Sequence, residues 1–312
     1  MPLRRALGLA SLLVVSASCH HRPRPALPDK PVVARPPHAP SPIGRPLAGS
    51  TVALARVGGR RIAFVADEDT GSILRIDVDR HAALRPIELR ATPGPLLVLD
   101  DGRLLTVSRD GGKLIAISGF RGVEDEGTDR VWVNLPSEPV GLALSPDRSA
   151  IYVTSGWAHA LVGLRTRDLE RTFEVSLPRE PRAVTVTDDG GRVFVSHAVG
   201  SLLSVVDVAG DQPVAKAIPL RGIEGRDAPS EAFDEVSPPE SRARRHSHEK
   251  RVKEGMPSCQ SFVLAKSASI PGRLFVPEVL VDPGETEVRS SGYGSGGGES
   301  EVPVVAVIDT AS

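Results

Sequence analysis

The sequence has few of the features that would point to a specific chemistry. Its 312 residues carry only two cysteines, Cys19 and Cys259, and a formal net charge of −1. A near-neutral chain of this kind argues against a nucleic-acid-binding surface. Beyond the N-terminus, no run reaches the length of about 18 apolar residues that a membrane-spanning helix needs. Sequence motifs of covalent haem attachment, phosphate binding, serine hydrolases and zinc proteases are also missing. We therefore predict no catalytic residues, no cofactor and no resident metal.

What the chain does contain is an internal repeat. The copy at Pro139–Thr154, PVGLALSPDRSAIYVT, aligns without gaps with Pro181–Ser196 and Pro93–Ser108, and more weakly with a segment that starts at Thr51. The four starts are 42, 46 and 42 residues apart. Each copy has two stretches of alternating branched residues, which are typical of half-buried strands, on either side of a polar turn.

Two further strands follow each copy, the last of them more polar. They are predicted at Ser72–Val78 and Leu84–Leu89, Lys113–Ser118 and Arg130–Leu135, Leu161–Arg165 and Arg171–Leu177, and Ser201–Val208 and Ala215–Leu220. Four strands in a unit of this period predict an all-β fold, a β-propeller of four-stranded blades. A β-sandwich with evenly spaced strands is the alternative, although a sandwich does not require a repeated sequence.

The repeat resembles a known family. Pro139-x-x-Leu-Ala-Leu-Ser-Pro-Asp followed by Ile-Tyr-Val-Thr154, and later Val-Val-Asp-Val208, is similar to the YVTN family of β-propeller repeats. The resemblance covers about residues 51–220 and is weak over 259–309. It implies a bacterial or archaeal surface or periplasmic protein. Propellers of this family commonly have seven blades, whereas about five are predicted here, so an open ring or a longer protein is expected.

Residues 1–19 are predicted to be a signal peptide. Arg4 and Arg5 precede a short apolar stretch, and Ser16-Ala17-Ser18 precede Cys19. This ending resembles the lipobox of bacterial lipoproteins, in which the cysteine becomes lipidated, although Ser16 stands where that family usually has an aliphatic residue. Cleavage near Ser18 without lipidation is the alternative. The predicted location is the cell envelope, either the outer membrane or the periplasm.

Three segments interrupt or flank the repeats. Residues 20–49 contain nine prolines and are predicted to form a disordered tether, which at about 3 Å per residue reaches up to about 90 Å. Residues 50–312 are assigned to the propeller, with a long charged insertion at 223–258 and a Gly/Ser loop at 283–300. The strands of a fifth, incomplete blade are predicted at Cys259–Lys266, Arg273–Val281 and Val302–Asp309.

Three side chains are candidates for a ligand-binding rim. Trp157 and His159 lie in the loop after the second strand of one unit, and His197 lies in the corresponding loop of the next. Equivalent loops share one rim of a propeller, so these side chains are predicted to face a common ligand surface. Asp67–Gly71 is rich in oxygen ligands but lacks the ligand spacing of a calcium loop, and we interpret it as a turn.

These observations predict a binding or scaffold module. We expect an exported, lipid-anchored propeller that binds an unknown protein or small ligand at one face, contacts the membrane through its lipid, does not bind nucleic acid and is not itself catalytic. Two alternatives remain open. One is the N-terminal part of a longer redox protein with a cytochrome c-like domain. The other is a propeller hydrolase or lyase of the lactonase type.

Overall fold

The computed structural model describes residues 46–220, 258–267, 269–281 and 301–310. All of these belong to one compact unit, residues 43–312. The predicted signal peptide with Cys19, most of the predicted tether, nearly all of the charged insertion and the Gly/Ser loop lie outside the described residues. Within the described residues every regular element is a β-strand, and none is a helix that could cross a membrane. The prediction of an all-β fold is confirmed.

Four sheets share one connectivity, in which each strand pairs antiparallel with the next along the chain. Sheet 1 contains β1 (Val52–Val57), β2 (Arg60–Asp67), β3 (Ser72–Asp77) and β4 (Ala82–Glu88); sheet 2 contains β5 (Pro93–Val98), β6 (Leu104–Ser108), β7 (Lys113–Ser118) and β8 (Asp129–Asn134); sheet 3 contains β9 (Pro139–Leu144), β10 (Ala150–Ser155), β11 (Ala160–Arg165) and β12 (Arg171–Ser176); sheet 4 contains β13 (Pro181–Val186), β14 (Arg192–His197), β15 (Leu202–Asp207) and β16 (Val214–Pro219). This repeated four-stranded architecture is that of propeller blades.

The turns between the first and second strands are closed by the aspartates of the repeat. The Asp147 carboxylate accepts hydrogen bonds from the Ser149 amide at 3.1 Å and from the Ser145 hydroxyl at 2.5 Å. One unit later, Asp189 accepts a hydrogen bond from the Gly191 amide at 2.9 Å. An aspartate that binds the backbone two residues ahead stabilises a tight turn locally, so sequence spacing alone positions these hairpins.

A fifth sheet departs from this pattern. Its long strand β19 (Arg273–Val281) pairs on one side with β20 (Glu301–Asp309) and on the other with two short strands, β17 (Ser258–Gln260) and β18 (Ala265–Lys266). A single strand was predicted over Cys259–Lys266, but residues 261–264 do not pair with β19. The Ser261 amide instead donates to the His197 carbonyl at 3.0 Å. That bond ties the interrupted strand to sheet 4.

The sheets stack on their neighbours through four apolar clusters. Each cluster joins two consecutive sheets: sheet 1 with 2 around Phe64, 2 with 3 around Leu105, 3 with 4 around Val193, and 4 with 5 around Leu274. Within a strand, alternate residues serve the two flanking clusters, as the pleat requires. The fold is therefore held together by contacts between adjacent sheets.

The outward faces of the first and last sheets carry exposed apolar side chains, unlike the buried faces between neighbouring sheets. On sheet 1, Val52 and Leu54 lie in cross-strand rows with Leu74 and Ile76, and all four are exposed. On sheet 5, Val305 and Val307 are about half exposed. Among the described residues, no apolar cluster joins sheet 5 to sheet 1.

Candidate functional site

The loops of sheets 1 to 4 divide into two rims. One rim, here the Trp157 rim, carries the loops after the second and fourth strands of each sheet, such as Gly156–His159 and Leu177–Glu180. The other, the Asp147 rim, carries the turns after the first and third strands, such as Ser145–Ser149 and Thr166–Glu170. Antiparallel pairing within each sheet fixes this division.

Trp157 and His159 lie in one tight loop of the Trp157 rim. The His159 amide donates to the Gly156 carbonyl at 3.3 Å, and His159 adopts a positive φ of 53°. Trp157 is 73% exposed, which is unusual for a large apolar side chain. This loop presents a rigid aromatic surface to solvent, so the prediction that it contributes to a ligand surface stays open.

His197 is at the end of β14, but its ring lies below the rim rather than on it. The residue is 2% exposed, and its Nδ1 donates to the Arg179 carbonyl at 2.8 Å while Nε2 lies 2.8 Å from the Ser204 hydroxyl. Burial lowers the pKa of His197, the Arg179 carbonyl opposes this, and the nearby His159 lowers it further. A neutral imidazole with both nitrogens bonded does not fit the expectation that His197 faces a ligand.

A chain of ion pairs crosses four sheets along the Trp157 rim. Glu68 of sheet 1 approaches Arg109 of sheet 2 at 3.8 Å, and Arg109 binds Glu138 of sheet 3 at 3.0 Å. Glu138 is shared with Arg182 of sheet 4 at 3.5 Å, and Arg182 also binds Glu180 at 2.6 Å. We call these five side chains the rim ladder. Each charge of the ladder therefore has an opposite neighbour, and the ladder links each of the four sheets to the next.

The central carboxylates of the rim ladder share a local sequence that the repeat analysis did not use. Glu138 and Glu180 each precede the leading proline of a copy, within Leu-Pro-x-Glu-Pro. Both adopt a positive φ, 57° and 53°, which costs a non-glycine residue about 1 kcal/mol or more. The recurrence of this motif at the repeat period was the signal that could have identified them. Gly156 leaves room for Glu138, since a Cβ there would lie 2.8 Å from its carboxylate oxygen.

The inner edges of sheets 2 and 3 bind the chain's own N-terminal segment. The Leu144 amide donates to the Leu47 carbonyl at 2.6 Å, and the Gly49 amide donates to the Leu142 carbonyl at 2.7 Å. Ser50 then exchanges two backbone hydrogen bonds with Leu96, at 2.6 and 3.2 Å. Residues 46–49, which were assigned to the predicted tether, therefore run along the first strands of two sheets. In a propeller these strands face the central channel.

Gly49 is needed for this close approach. A Cβ at that position would lie 3.0 Å from the Cβ atoms of both Leu142 and Pro95. Leu47 packs against the cluster between sheets 2 and 3. The segment 47–50 thus covers the free edges of β9 and β5 and leaves less of them available to a ligand.

The described residues contain no group of three or more His, Cys, Asp or Glu side chains arranged to hold a metal ion. In the candidate calcium segment, Asp67 accepts a hydrogen bond from the Thr70 amide at 3.2 Å, as a turn residue does. That hydrogen bond and the one from the Thr70 hydroxyl keep the pKa of Asp67 below its usual value.

No protein-family model matches the sequence, and neither does any curated protein. Among solved structures, hydrazine synthase of Kuenenia stuttgartiensis is 14% identical over 88% of this chain and 65% of its own, with a TM-score of 0.56. A protein from Lactobacillus plantarum is 12% identical over 75% of this chain and 67% of its own, with a TM-score of 0.53.

The likeness is one of fold. Both structures are β-propeller proteins, and the described sheets are consistent with that architecture. Virginiamycin B lyase from Staphylococcus aureus also matches, at 16% identity over 56% of this chain and 57% of its own, with a TM-score of 0.43. The chain therefore spans between about half and two thirds of the length of these matched structures.

Proposed function

We propose that this chain is an exported, lipid-anchored β-propeller of the cell envelope that acts as a binding or scaffold module and has no catalytic activity of its own. The single observation that carries the binding role is the exposed Trp157 on a loop fixed by a rigid stack of sheets. Large aromatic side chains on preorganised loops are the usual anchors of a binding surface.

The ionisable groups of the rim ladder are paired with one another and His197 is buried, which supports a non-catalytic role. A general acid or base needs a pKa near the working pH and access to the substrate. The arginines and glutamates of the rim ladder bind each other, and His197 is buried with both ring nitrogens bonded. These groups stabilise the rim, and the ligand surface is left to Trp157 and its loop.

The proposal includes the number and order of the blades. The five sheets are taken as consecutive blades, of which the fifth has three strand positions and a divided inner strand. The exposed apolar residues on the outward faces of sheets 1 and 5 support an incomplete ring, because internal sheets bury such faces. A longer version of this protein, or an additional blade, would cover these faces.

The two alternative functions, a redox role and a lactonase-type activity, can each be tested separately. A redox role requires a haem-binding Cys-x-x-Cys-His in sequence that continues past Ser312, and reading that sequence decides it. A hydrolase or lyase of the lactonase type requires acids or histidines at the channel, and commonly a metal. Metal analysis of the purified chain, together with lactone hydrolysis assays, would identify that activity.

Anchoring is tested at Cys19. Wild-type protein should incorporate labelled fatty acid and sediment with membranes, whereas Cys19→Ala should do neither and remain in the soluble envelope fraction. Cys259→Ala is the matched control, because it removes the other thiol and should leave lipidation unchanged. Processing and membrane association that survive Cys19→Ala would refute the lipid anchor.

Binding at the Trp157 rim is tested by site-specific photo-crosslinking in cells. A photoreactive amino acid at Trp157 should give a discrete crosslinked product, and the same probe at Trp132 should not. Trp132 is the matched control because it is also an exposed tryptophan, 43% accessible, on outer strand β8. Equal crosslinking from both positions would mean that the rim is not a specific binding surface.

A further inference from the structure

The Asp147 rim contains a groove of its own. It lies between sheets 3 and 4, on the opposite rim from Trp157, and has a volume of about 560 Å³. Its wall includes the turns around Asp147 and Asp189 and the loop that follows β15, and its aromatic side chains are Tyr152 and Phe173. A volume of this size accommodates a small organic molecule. We call it the sheet 3–4 groove.

The aromatic wall exists because of a glycine. Tyr152, Gly163 and Phe173 are direct cross-strand neighbours on β10, β11 and β12. With no side chain between them, the two rings approach to a centroid distance of 6.2 Å. A Cβ on Gly163 would lie 2.3 Å from the Phe173 ring. The glycine is not required by its backbone, since it is not among the residues with positive φ.

The repeat shows that this glycine is exceptional. The corresponding positions of sheets 1, 2 and 4 carry Arg75, Ile115 and Val205, each paired with the residue equivalent to Tyr152. In those sheets a long or branched side chain fills the position. Sheet 3 alone of these four has a glycine there, and the groove opens beside it. Such a local departure from a repeat indicates a specialised feature.

Carboxylates surround the aromatic wall. Asp147, Asp188, Asp189 and Asp211 line the groove, and within the described part of the chain no lysine, arginine or histidine does. Hydrogen bonds from the turn hydroxyls and amides hold the pKa of Asp147 and of Asp189 below the usual value, so both are ionised at neutral pH. Asp188 is paired with Lys266 from sheet 5. The groove therefore has a negative potential that a cation would complement.

Tyr152 supplies an independent indication of a ligand. The residue is only 5% exposed, and among the described residues its hydroxyl has no hydrogen-bond partner. Burial raises the pKa of Tyr152, as does the charge of Asp147, so the phenol remains protonated. The ring is buried while the residue lines the groove, so a hydroxyl without a protein partner there is available to bind a ligand atom or water.

We propose that the sheet 3–4 groove binds an organic cation, a primary ammonium or guanidinium group, held between its carboxylates and the Tyr152–Phe173 pair. Ionised carboxylates bind such donors through charge-assisted hydrogen bonds. Aromatic faces add a favourable cation–π interaction in a partly desolvated site. The site is on a different rim from Trp157, so it stands or falls independently of the proposed function.

Two sources could provide this chemistry. One is a free polyamine or a similar diffusible cation. The other is the basic run Arg242–Arg251 of the chain's own insertion, which lies outside the described residues. Both sources present the same ammonium or guanidinium groups to the groove, and an experiment can distinguish them.

The experiment is isothermal titration calorimetry of the full chain with spermidine at physiological salt. Wild type should show saturable binding with one site. Asp189→Asn combined with Asp211→Asn should weaken binding about fivefold to tenfold, because two carboxylate contacts are removed. Tyr152→Phe, which keeps the ring and the fold, should weaken it about threefold. Asp168→Asn, a carboxylate of the same rim outside the groove, is the matched control and should leave binding unchanged.

A variant with the arginines and lysine of residues 242–251 changed to glutamine separates the two sources. An unchanged spermidine affinity assigns the groove to a diffusible cation, and a higher affinity assigns it to the insertion as a competing occupant. Either result supports cation recognition. Equal binding of Mg²⁺ and spermidine would show only general charge screening and overturn the proposal. An equal loss of binding in Asp168→Asn and in the groove variants would do the same. Undetectable binding in both the wild type and the glutamine variant would also overturn it.

Discussion

His197 illustrates how strongly the setting of one residue controls its role. From the sequence it is a polar residue in a loop, and it was predicted to face a ligand on the rim. In the structure the β14 backbone turns its ring inward, where the Arg179 carbonyl and the Ser204 hydroxyl satisfy both nitrogens. The ring is therefore a buried polar group within sheet 4, while the backbone carbonyl of His197 accepts the hydrogen bond from the Ser261 amide. Its titration should therefore affect stability.

The pH dependence of unfolding should reveal this histidine. Because its pKa in the folded state is below the ordinary value of 6.5, the unfolded chain binds the proton more readily. The free energy of unfolding should then fall as pH is lowered through about 6.5. Urea unfolding between pH 7.5 and 5.5 should show a steeper loss for wild type than for His197→Gln. Carboxylates with lowered pKa, such as Asp147 and Asp189, act only below about pH 4 and do not interfere.

Identical slopes for wild type and His197→Gln would mean that the ring is accessible to solvent in the folded protein. Burial of this particular side chain could not be predicted from the sequence. The alternating pattern of β14 indicates which strand residues face the core. It does not specify where the side chain of the last residue lies, which depends on a carbonyl 18 positions away and on a hydroxyl of the next strand.

At the scale of elements, the close approach of neighbouring first strands depends on small residues. Gly141 of β9 faces β13, and a Cβ there would lie 2.3 Å from both the Arg182 carbonyl oxygen and the Thr154 hydroxyl. The same Thr154 hydroxyl donates to the Arg182 carbonyl at 2.6 Å, which joins sheet 3 to sheet 4. The glycine therefore permits a hydrogen bond between blades.

Gly141→Ala should destabilise the protein by about 1–3 kcal/mol, because the obstructing atoms include backbone that cannot move without separating the sheets. Gly122→Ala is the control: no atom lies within 4 Å of its added Cβ, and the change in unfolding free energy should stay within about 0.5 kcal/mol. Chemical denaturation of the two variants measures both values. A neutral Gly141→Ala would show that sheets 3 and 4 pack less closely than described.

The strands could be predicted from the sequence, whereas the side-chain and backbone contacts between the sheets could not. Period-two alternation and Asp-centred turns predicted the third and fourth strands of sheets 1 to 4 to within two residues, and β7 at both ends. These features are local, so a single sequence carries them. The rim ladder and the pairing of residues 47–50 join residues up to 97 positions apart, and no local pattern encodes such distant partners.

At the scale of the whole molecule, the described unit behaves as a linear array of sheets. Every apolar cluster joins neighbours along the chain, and the terminal sheets each have one outward face exposed. Stability in such arrays is a sum of local terms and nearest-neighbour interfaces. Damage to one interface should therefore spread little beyond the two sheets that form it.

Hydrogen exchange can test this locality. Phe64 is buried between sheets 1 and 2 and packs against Phe120 with ring centroids 5.7 Å apart. Phe64→Ala should cost about 3–5 kcal/mol at that interface and accelerate amide exchange in sheets 1 and 2, while sheet 4 keeps its protection. Val193→Ala, between sheets 3 and 4, should give the reciprocal pattern. Uniform acceleration in all sheets would mean that the array unfolds as one cooperative unit.

The segment 47–50 has a mechanical consequence. A pull applied to the chain upstream of Leu47 does not reach sheet 1 first, although sheet 1 follows directly in sequence. The load is borne by the backbone hydrogen bonds to Leu144, Leu142 and Leu96, which hold the segment along sheets 3 and 2. Those bonds must fail before β1 can be peeled from its sheet. The segment should therefore protect sheet 1, at one end of the array, from tension applied upstream of Leu47.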